Sequence, residues 1–286
     1  VKTTALLVDS SADFPPGIVE EYGLHLMPIH VFVDGQDYLD GVSLQRHEFL
    51  QQLHKRADVK TAPPFPGEYA AMYEKLLQEY ERVVSCHISS ELSGCLTSAS
   101  GARQFLKQNL AERVRLIDTG SLCVTQALLV KKAAEFLRRQ DNPVQLETHL
   151  QRYLADSYFC FTVDNLTWLR KGGRVSALAA FMGKMLNIKP VIHLENKRLI
   201  PVDRARGRAA ALEMMVERAK SIKELLHRPV EVWIAHVDAL EDATALQENL
   251  ASELNLSTTE VRLAESGPTI AAHAGPGALA WGMLPE

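Results

Sequence analysis

The chain has 286 residues, about two ordinary domains at roughly 150 residues each. Hydrophobic residues make up 47 % and charged residues 23 %, the ordinary balance of a packed globular protein. The formal net charge of −4 gives no reason to expect nucleic acid, which calls for a concentrated basic stripe.

The opening run VKTTALLVD is too short in its apolar part for a signal-peptide core and reads as a first strand. Pro15 and Pro16 suit the first turn of a helix, because proline there gives up only an unpaired N–H. Residues 29–33 lead into Asp34-Gly35, a favoured hairpin turn, and Ser43 is placed to cap a helix running towards Leu53. Thr61-Ala62-Pro63-Pro64-Phe65-Pro66 reads as a stiff loop. It feeds a helix in which Tyr69, Met72, Tyr73, Leu76, Leu77 and Tyr80 form one buried face. Residues 83–88 form a strand, 89–94 a loop, and a helix starts at Leu96. The strand at 114–117 ends at Asp118-Thr119-Gly120 and enters a helix carrying Ala127, Val130, Ala134 and Leu137. Three strand–loop–helix units in succession predict a largely parallel sheet.

Asn142-Pro143 marks a break, followed by a helix and a strand at 158–163. Residues 191–202 read as a hairpin turning near Glu195-Asn196-Lys197. A helix carrying Leu212, Met215, Val216, Ala219, Ile222 and Leu226 follows, then a strand at 230–235. Another helix, another strand and a glycine-rich end complete the chain. The expected fold class is α/β. Residues 1–155 make an N-terminal domain with a mainly parallel sheet flanked by helices, and residues 156–286 make a C-terminal mixed-sheet α/β domain.

No apolar run reaches the roughly 18 residues of a membrane span; the closest, 177–188, is broken by Lys184. Cys86, Cys95, Cys123 and Cys160 lie far apart, without C-x-x-C or zinc-type spacing. They read as buried thiols in a reducing compartment, and a cytoplasmic location is expected.

In open α/β sheets ligands bind beyond the carboxyl ends of the strands. The three loops there, 9–13, 89–94 and 118–120, are rich in hydroxyls and carboxylates. In the middle loop Ser93 and Gly94 fall where a helix begins, so free backbone N–H groups and the helix dipole favour an anion. A plain capping role for Ser93 fits the same position. Thr61 offers a further hydroxyl, or is simply a loop residue. Asp9, Ser10 and Asp13 have metal-ligating chemistry, but turn formation and capping explain them more economically; Asp118-Thr119 has the same ambiguity.

The run Leu169-Arg170-Lys171-Gly172-Gly173-Arg174 joins tight-turn glycines to three cations, which a solvated helix C-terminus also explains. Arg204, Arg206 and Arg208 cluster around Gly207. His273 stands in H-A-G-P-G, where backbone approaches a ligand closely. G-x-S-x-G, G-x-x-x-x-G-K-[ST] and a G-x-G-x-x-G after the first strand are all missing, and His47-Glu48 lacks the second histidine of a zincin. Hydroxyls and cations without a base–nucleophile pair favour holding a ligand over cutting one, with no metal and no cofactor. The alternative is an enzyme, either a hydrolase using Ser93 or a transferase acting on a small phosphorylated metabolite. A third reading is a ligand-dependent regulator that docks through its arginine clusters.

Taken together, these loops resemble the DegV family of bacterial fatty-acid-binding proteins over nearly the whole chain. The motifs are Asp9-Ser10-Ser11-x-Asp13, Tyr38-Leu39-Asp40-Gly41, Thr61-x-x-Pro64 and Ser89-Ser90-x-Leu92-Ser93-Gly94. They continue with Leu169-Arg170-Lys171-Gly172-Gly173-Arg174, Leu186-Asn187-Ile188-Lys189-Pro190, Arg206-Gly207 and His273-x-Gly275-Pro276-Gly277. The resemblance implies two α/β domains with an acyl chain buried in a tunnel between them. It implies a separate ATP-dependent fatty-acid kinase that phosphorylates the bound carboxylate, giving an acyl phosphate for phospholipid synthesis. Under it, Thr61, Ser93 and the Gly94 N–H hold the carboxylate, His273 lies beside it, and no residue of the chain is catalytic. Arg170 and Arg206 are then exposed arginines serving the kinase encounter or phosphate transfer. The chain departs from the family pattern at Ala62, where serine is usual, and at Cys95, where threonine is usual.

Overall fold

A computed structural model describes residues 2–55, 57–140, 142–174 and 188–286. The apolar run at 177–188 therefore lies outside the described residues except for Ile188, as does the Leu186-Asn187 half of its motif.

The chain opens with β1 (Lys2–Asp9), α1 (Ile18–Tyr22), β2 (His25–Met27), β3 (His30–Val33), β4 (Gln36–Leu39), α2 (Arg46–His54) and β5 (Val59–Ala62). It continues through α3 (Pro66–Glu79), β6 (Tyr80–His87), α4 (Cys95–Ala102), α5 (Gln108–Ala111), β7 (Val114–Asp118), α6 (Cys123–Arg139) and α7 (Pro143–Ala155). Then come β8 (Tyr158–Thr162), α8 (Thr167–Lys171), β9 (Ile188–Glu195), β10 (Arg198–Arg206) and α9 (Arg208–Leu226). The last elements are β11 (Val230–His236), α10 (Leu240–Glu253), β12 (Val261–Glu265), α11 (Pro268–Ala274) and β13 (Leu279–Pro285).

The fold is a two-domain α/β arrangement. Four strands pair in parallel in the order β2-β1-β6-β7, as three successive strand–loop–helix units require. Helices cover both faces, so the strands read as continuous apolar runs. Ala5, Leu7 and Val83 pack on Tyr69, Tyr73 and Leu76 of α3. Leu6, Val8, Val84 and Ile117 point the other way, into the core that holds α6. A six-stranded sheet, β10-β9-β8-β13-β11-β12, is antiparallel except between β11 and β12. One of its faces packs Val232, Ile234, Trp281 and Met283 on α9 and α10. The other turns Phe159, Phe161, Ile192, Ala235 and Ala280 towards α6. Helix α6 is thus shared by both sheets, and residues along nearly its whole circumference are buried. A small antiparallel sheet, β4-β3-β5, completes the structure.

The hairpins form as their turn chemistry predicts. Asp34 and Gly35 both take left-handed φ, 49° and 84°, and so do Asn196 and Lys197, at 48° and 66°. Other expectations need correction. Pro15 and Pro16 precede α1 rather than opening it; Gly17, at φ 85°, caps a helix that starts at Ile18. Ser43 does not cap α2: its Oγ accepts from the Leu39 N–H at 2.8 Å, while Gln45 and Glu48 form the capping box. Thr61 and Ala62 belong to strand β5 rather than to a loop, with Thr61 opposite Val31, because the prolines begin only at residue 63. The glycine-rich end holds one more strand: Leu279–Pro285 form β13, fully buried in the middle of the mixed sheet.

Candidate functional site

Between the two sheets lies a cavity, partly open to solvent and lined mainly by apolar side chains. One wall follows the carboxyl ends of β2, β6 and β7, through Ile29, Ile88 and Leu122. The other is the α6-facing side of the mixed sheet, through Phe159, Phe161, Leu199, Ala235 and Ala280. Strand register explains where the space comes from. Phe161, Ala280 and Ala235 are cross-strand neighbours, and the two alanines leave a trough. In the next row, a Cβ on Gly282 would come within 2.4 Å of Thr125 Oγ1, so this glycine lets α6 settle directly on the sheet.

The polar groups of the lining gather near α11. Thr61 Oγ1 and His273 Nε2 are 2.8 Å apart. Ser93 Oγ lies 3.2 Å from Cys95 Sγ and accepts from the Cys95 N–H at 3.4 Å, so it serves the helix start and also faces the cavity. Gly94 caps α4 just behind it, packed on Pro63. Arg174 is the one cation in the wall among the described residues; its Nε donates to the Leu92 carbonyl at 3.2 Å.

Burial, reinforced by the charge of Arg174, pushes the His273 imidazole down to about 4, so the ring is neutral at physiological pH. His273 Nδ1 is buried and has no hydrogen-bond partner among the described residues. We assign the proton to Nε2. A bare acceptor buried at Nδ1 costs less than an unbonded N–H, and Nε2–H then donates to Thr61 Oγ1. That leaves the Thr61 hydroxyl proton free to point into the cavity.

Two glycine motifs far apart in sequence form one joint. A Cβ on Gly172 would lie 2.1 Å from His273 Nδ1, one on Gly275 1.9 Å from Trp168 Cδ1, and one on Gly277 2.4 Å from Asp164 Oδ2. The glycines therefore let α8 press on α11 and its following loop, which fixes His273. Gly173, at φ 73°, then turns the chain so that Arg174 reaches back to the cavity. Arg170, beside the buried Leu169, stays exposed, and so does Arg206 at the end of β10; both lie outside the cavity wall. The resemblance gave Arg170 a contact role and left Arg174, named in the same run, without one; its signal was the helix-ending glycine pair just before it.

Asp13 of the first loop and Asp40 join the two halves together. Asp13 Oδ1 accepts from the Gly267 N–H at 2.9 Å, and its Oδ2 receives the Cys123 thiol at 3.0 Å. Asp40 Oδ2 accepts from Ser10 Oγ at 2.9 Å and from the Thr269 N–H at 3.2 Å. Burial pushes Asp13 up to about 6 and raises Asp40 as well. Asp9 accepts from the Ile88 N–H at 2.8 Å and from Gln126 at 3.1 Å. Asp118 accepts from Ser90 Oγ at 2.7 Å and pairs with Lys197. Each carboxylate is thus engaged by protein donors. Ser266, Thr269 and Cys123 also line the cavity, and sequence reasoning did not single them out.

The four cysteines are buried and unpaired. No helix among the described residues is long and apolar enough to cross a membrane.

A DegV domain-containing protein of Deinococcus radiodurans is 30 % identical over 282 residues, covering 98 % of each chain. Among solved structures, the DegV family protein of Thermus thermophilus, described for its fatty acid binding, gives a TM-score of 0.90 at 30 % identity. That match covers 99 % of this chain and 100 % of that one. DegV of Bacillus subtilis, a fatty acid binding protein, gives 0.86 at 27 % identity over 100 % of both chains. Residues 3–286 match the family described as "Uncharacterised protein, DegV family", and the chain accordingly belongs to the DegV family.

Proposed function

We propose that this chain holds a long-chain fatty acid in the cavity and presents its carboxylate to a separate ATP-dependent fatty-acid kinase, which forms an acyl phosphate for phospholipid synthesis. One observation carries the reading: among the described residues, a mainly apolar cavity wall carries Thr61, Ser93, His273 and Arg174, with Thr61 bonded to His273, while the lining side chains of Cys123 and Thr269 are taken up by the buried carboxylates of Asp13 and Asp40. The relatives from Thermus and Bacillus support the same ligand class.

A saturated sixteen-carbon acid gains about 0.8 kcal/mol per buried methylene, on the order of 11 kcal/mol gross. Association and ordering costs reduce that sum. The tail supplies affinity, and the polar end replaces the water lost by the carboxylate. With His273 neutral, Thr61 and Ser93 act as hydroxyl donors and Arg174 supplies the positive charge. Arg170, exposed one residue-pair from the Gly172–His273 joint, is suited to meet the kinase, and Arg206 is the second such contact.

Replacing both Thr61 and Ser93 by alanine is expected to weaken fatty-acid binding by at least about tenfold, since each hydrogen bond to a charged group contributes roughly 1.5–3 kcal/mol. Competition against a fluorescent fatty-acid analogue reads this, with circular dichroism to establish that the fold is kept. Unchanged affinity in the double variant counts against the assigned head-group site. A hydrolase built on Ser93 has less support. The Ser93 hydroxyl meets Cys95, whose thiol burial pushes up to about 12, and His273 is turned to Thr61 instead.

A further inference from the structure

We infer that His30 is a positioning residue for the carboxylate-holding end: as an imidazolium it latches strand β5, which carries Thr61, to the start of helix α3. This rests on the fatty-acid reading for its functional consequence, but the latch itself is a property of the chain alone.

His30 is buried on β3 between two carboxylates. Nδ1 lies 2.9 Å and 3.0 Å from the two oxygens of Asp37, and Nε2 lies 2.9 Å from Glu68 Oε2. Ionised carboxylates only accept, so both ring nitrogens must donate, which only the protonated ring can do. A neutral ring would turn one lone pair towards a carboxylate. Burial opposes the charged ring, but the hydrogen bonds and charges of Glu68 and Asp37 outweigh it and hold the pKa above the ordinary histidine value. The other charged or titratable groups nearby do not compete for the ring. Lys60, further along β5, is exposed and paired with Asp58. His273 on α11 is neutral and bonded to Thr61.

The latch acts on a short strap. Only residues 63–65 separate β5 from α3. At the α3 end, Glu68 Oε2 also accepts from the Phe65 N–H at 2.6 Å, and the Phe65 ring sits 5.1 Å from the His30 ring. At the β5 end, the ladder pairs His30 with Ala62 and Val31 with Thr61. Between these ends Pro63 lines the cavity, and the Pro64 carbonyl accepts from Ser98 Oγ on α4, the helix that Ser93 precedes. Two adjacent prolines make the strap stiff, so movement at Glu68 carries to Thr61. With a raised pKa in the folded state, the contribution of the latch is complete below the unfolded histidine value of about 6.5 and is lost as pH rises through the folded value.

The test compares the parent with His30→Gln, and with Asp37→Asn should His30→Gln fail to fold. Two quantities are followed from about pH 6 to pH 9, starting below the ordinary histidine value of about 6.5 and rising past it. One is the dissociation rate of bound palmitate; the other is the hydrogen-exchange protection of residues 59–66 in the ligand-free chain, corrected for intrinsic rates. The expected result is a parent rate that climbs by about tenfold with pH, matched by falling protection. His30→Gln should be fast and flat in both, and Asp37→Asn intermediate. A variant that follows the parent in both rate and pH profile overturns the latch. Should protection change as expected while the chain takes up no palmitate, the latch stands and the fatty-acid reading fails.

Discussion

Ala280→Phe is expected to abolish retention of a sixteen-carbon acid while the chain still folds. Ala280 sits on the central strand of the mixed sheet between Phe161 and Ala235, in the trough of the cavity. Among the described residues a phenyl ring there enters cavity space, so its cost to folding stays within the roughly 1–3 kcal/mol usual for added bulk. The ligand loses much more. If about six methylenes can no longer be buried, about 5 kcal/mol is forfeited, more than about a thousandfold in affinity. Acids of about ten carbons should lose less, because they need less of the channel. Competition binding across a series of chain lengths measures both effects. A variant that binds the long acid like the parent would show that the trough is not the acyl site.

The second large effect is on stability. Gly275→Ala is expected to destabilise the chain by about 4 kcal/mol, combining backbone strain with overpacking. Gly275 holds φ 75° and ψ 169°, a region open in practice to glycine alone. A methyl there would meet the Trp168 ring at 1.9 Å. Either the indole moves or α8 lifts from α11, and the second outcome also releases His273 from Gly172. The melting temperature should fall by about 10 °C, and fatty-acid binding should weaken with it. Gly173→Ala is the internal control. That residue is also left-handed, at φ 73°, but among the described residues nothing stands where its side chain would go, so only the backbone cost of about 1–2 kcal/mol applies. Thermal denaturation followed by circular dichroism separates the two. Equal melting shifts would mean that the Gly275–Trp168 contact carries no weight.

Much of the fold could be read from local pattern, because local pattern determines those parts. The parallel sheet follows from strand–loop–helix repetition, and the Asp34-Gly35 turn follows from two positions that need positive φ. Where reading failed, the deciding contact was distant. The strand β13 inside the glycine-rich end went unnamed, and a Cβ on its Gly282 would meet Thr125 of α6. Ser43 has the chemistry of a cap, but its hydroxyl is taken by Leu39.

The candidate site shows the same division. Thr61, Ser93 and His273 stand out through their motifs. That Thr61 and His273 are bonded, that Arg174 rather than Arg170 reaches the cavity wall, and that two glycine motifs form one joint are facts of tertiary contact. His30 carries no motif at all. Its two partners come from a hairpin and a helix start that meet only in the folded chain.

The most direct measurement is extraction of the purified protein with organic solvent, followed by mass spectrometry of what is released. The account predicts about one long-chain fatty acid per chain, and little or none from Ala280→Phe. A parent protein that releases no fatty acid, and takes none up when one is offered, contradicts it.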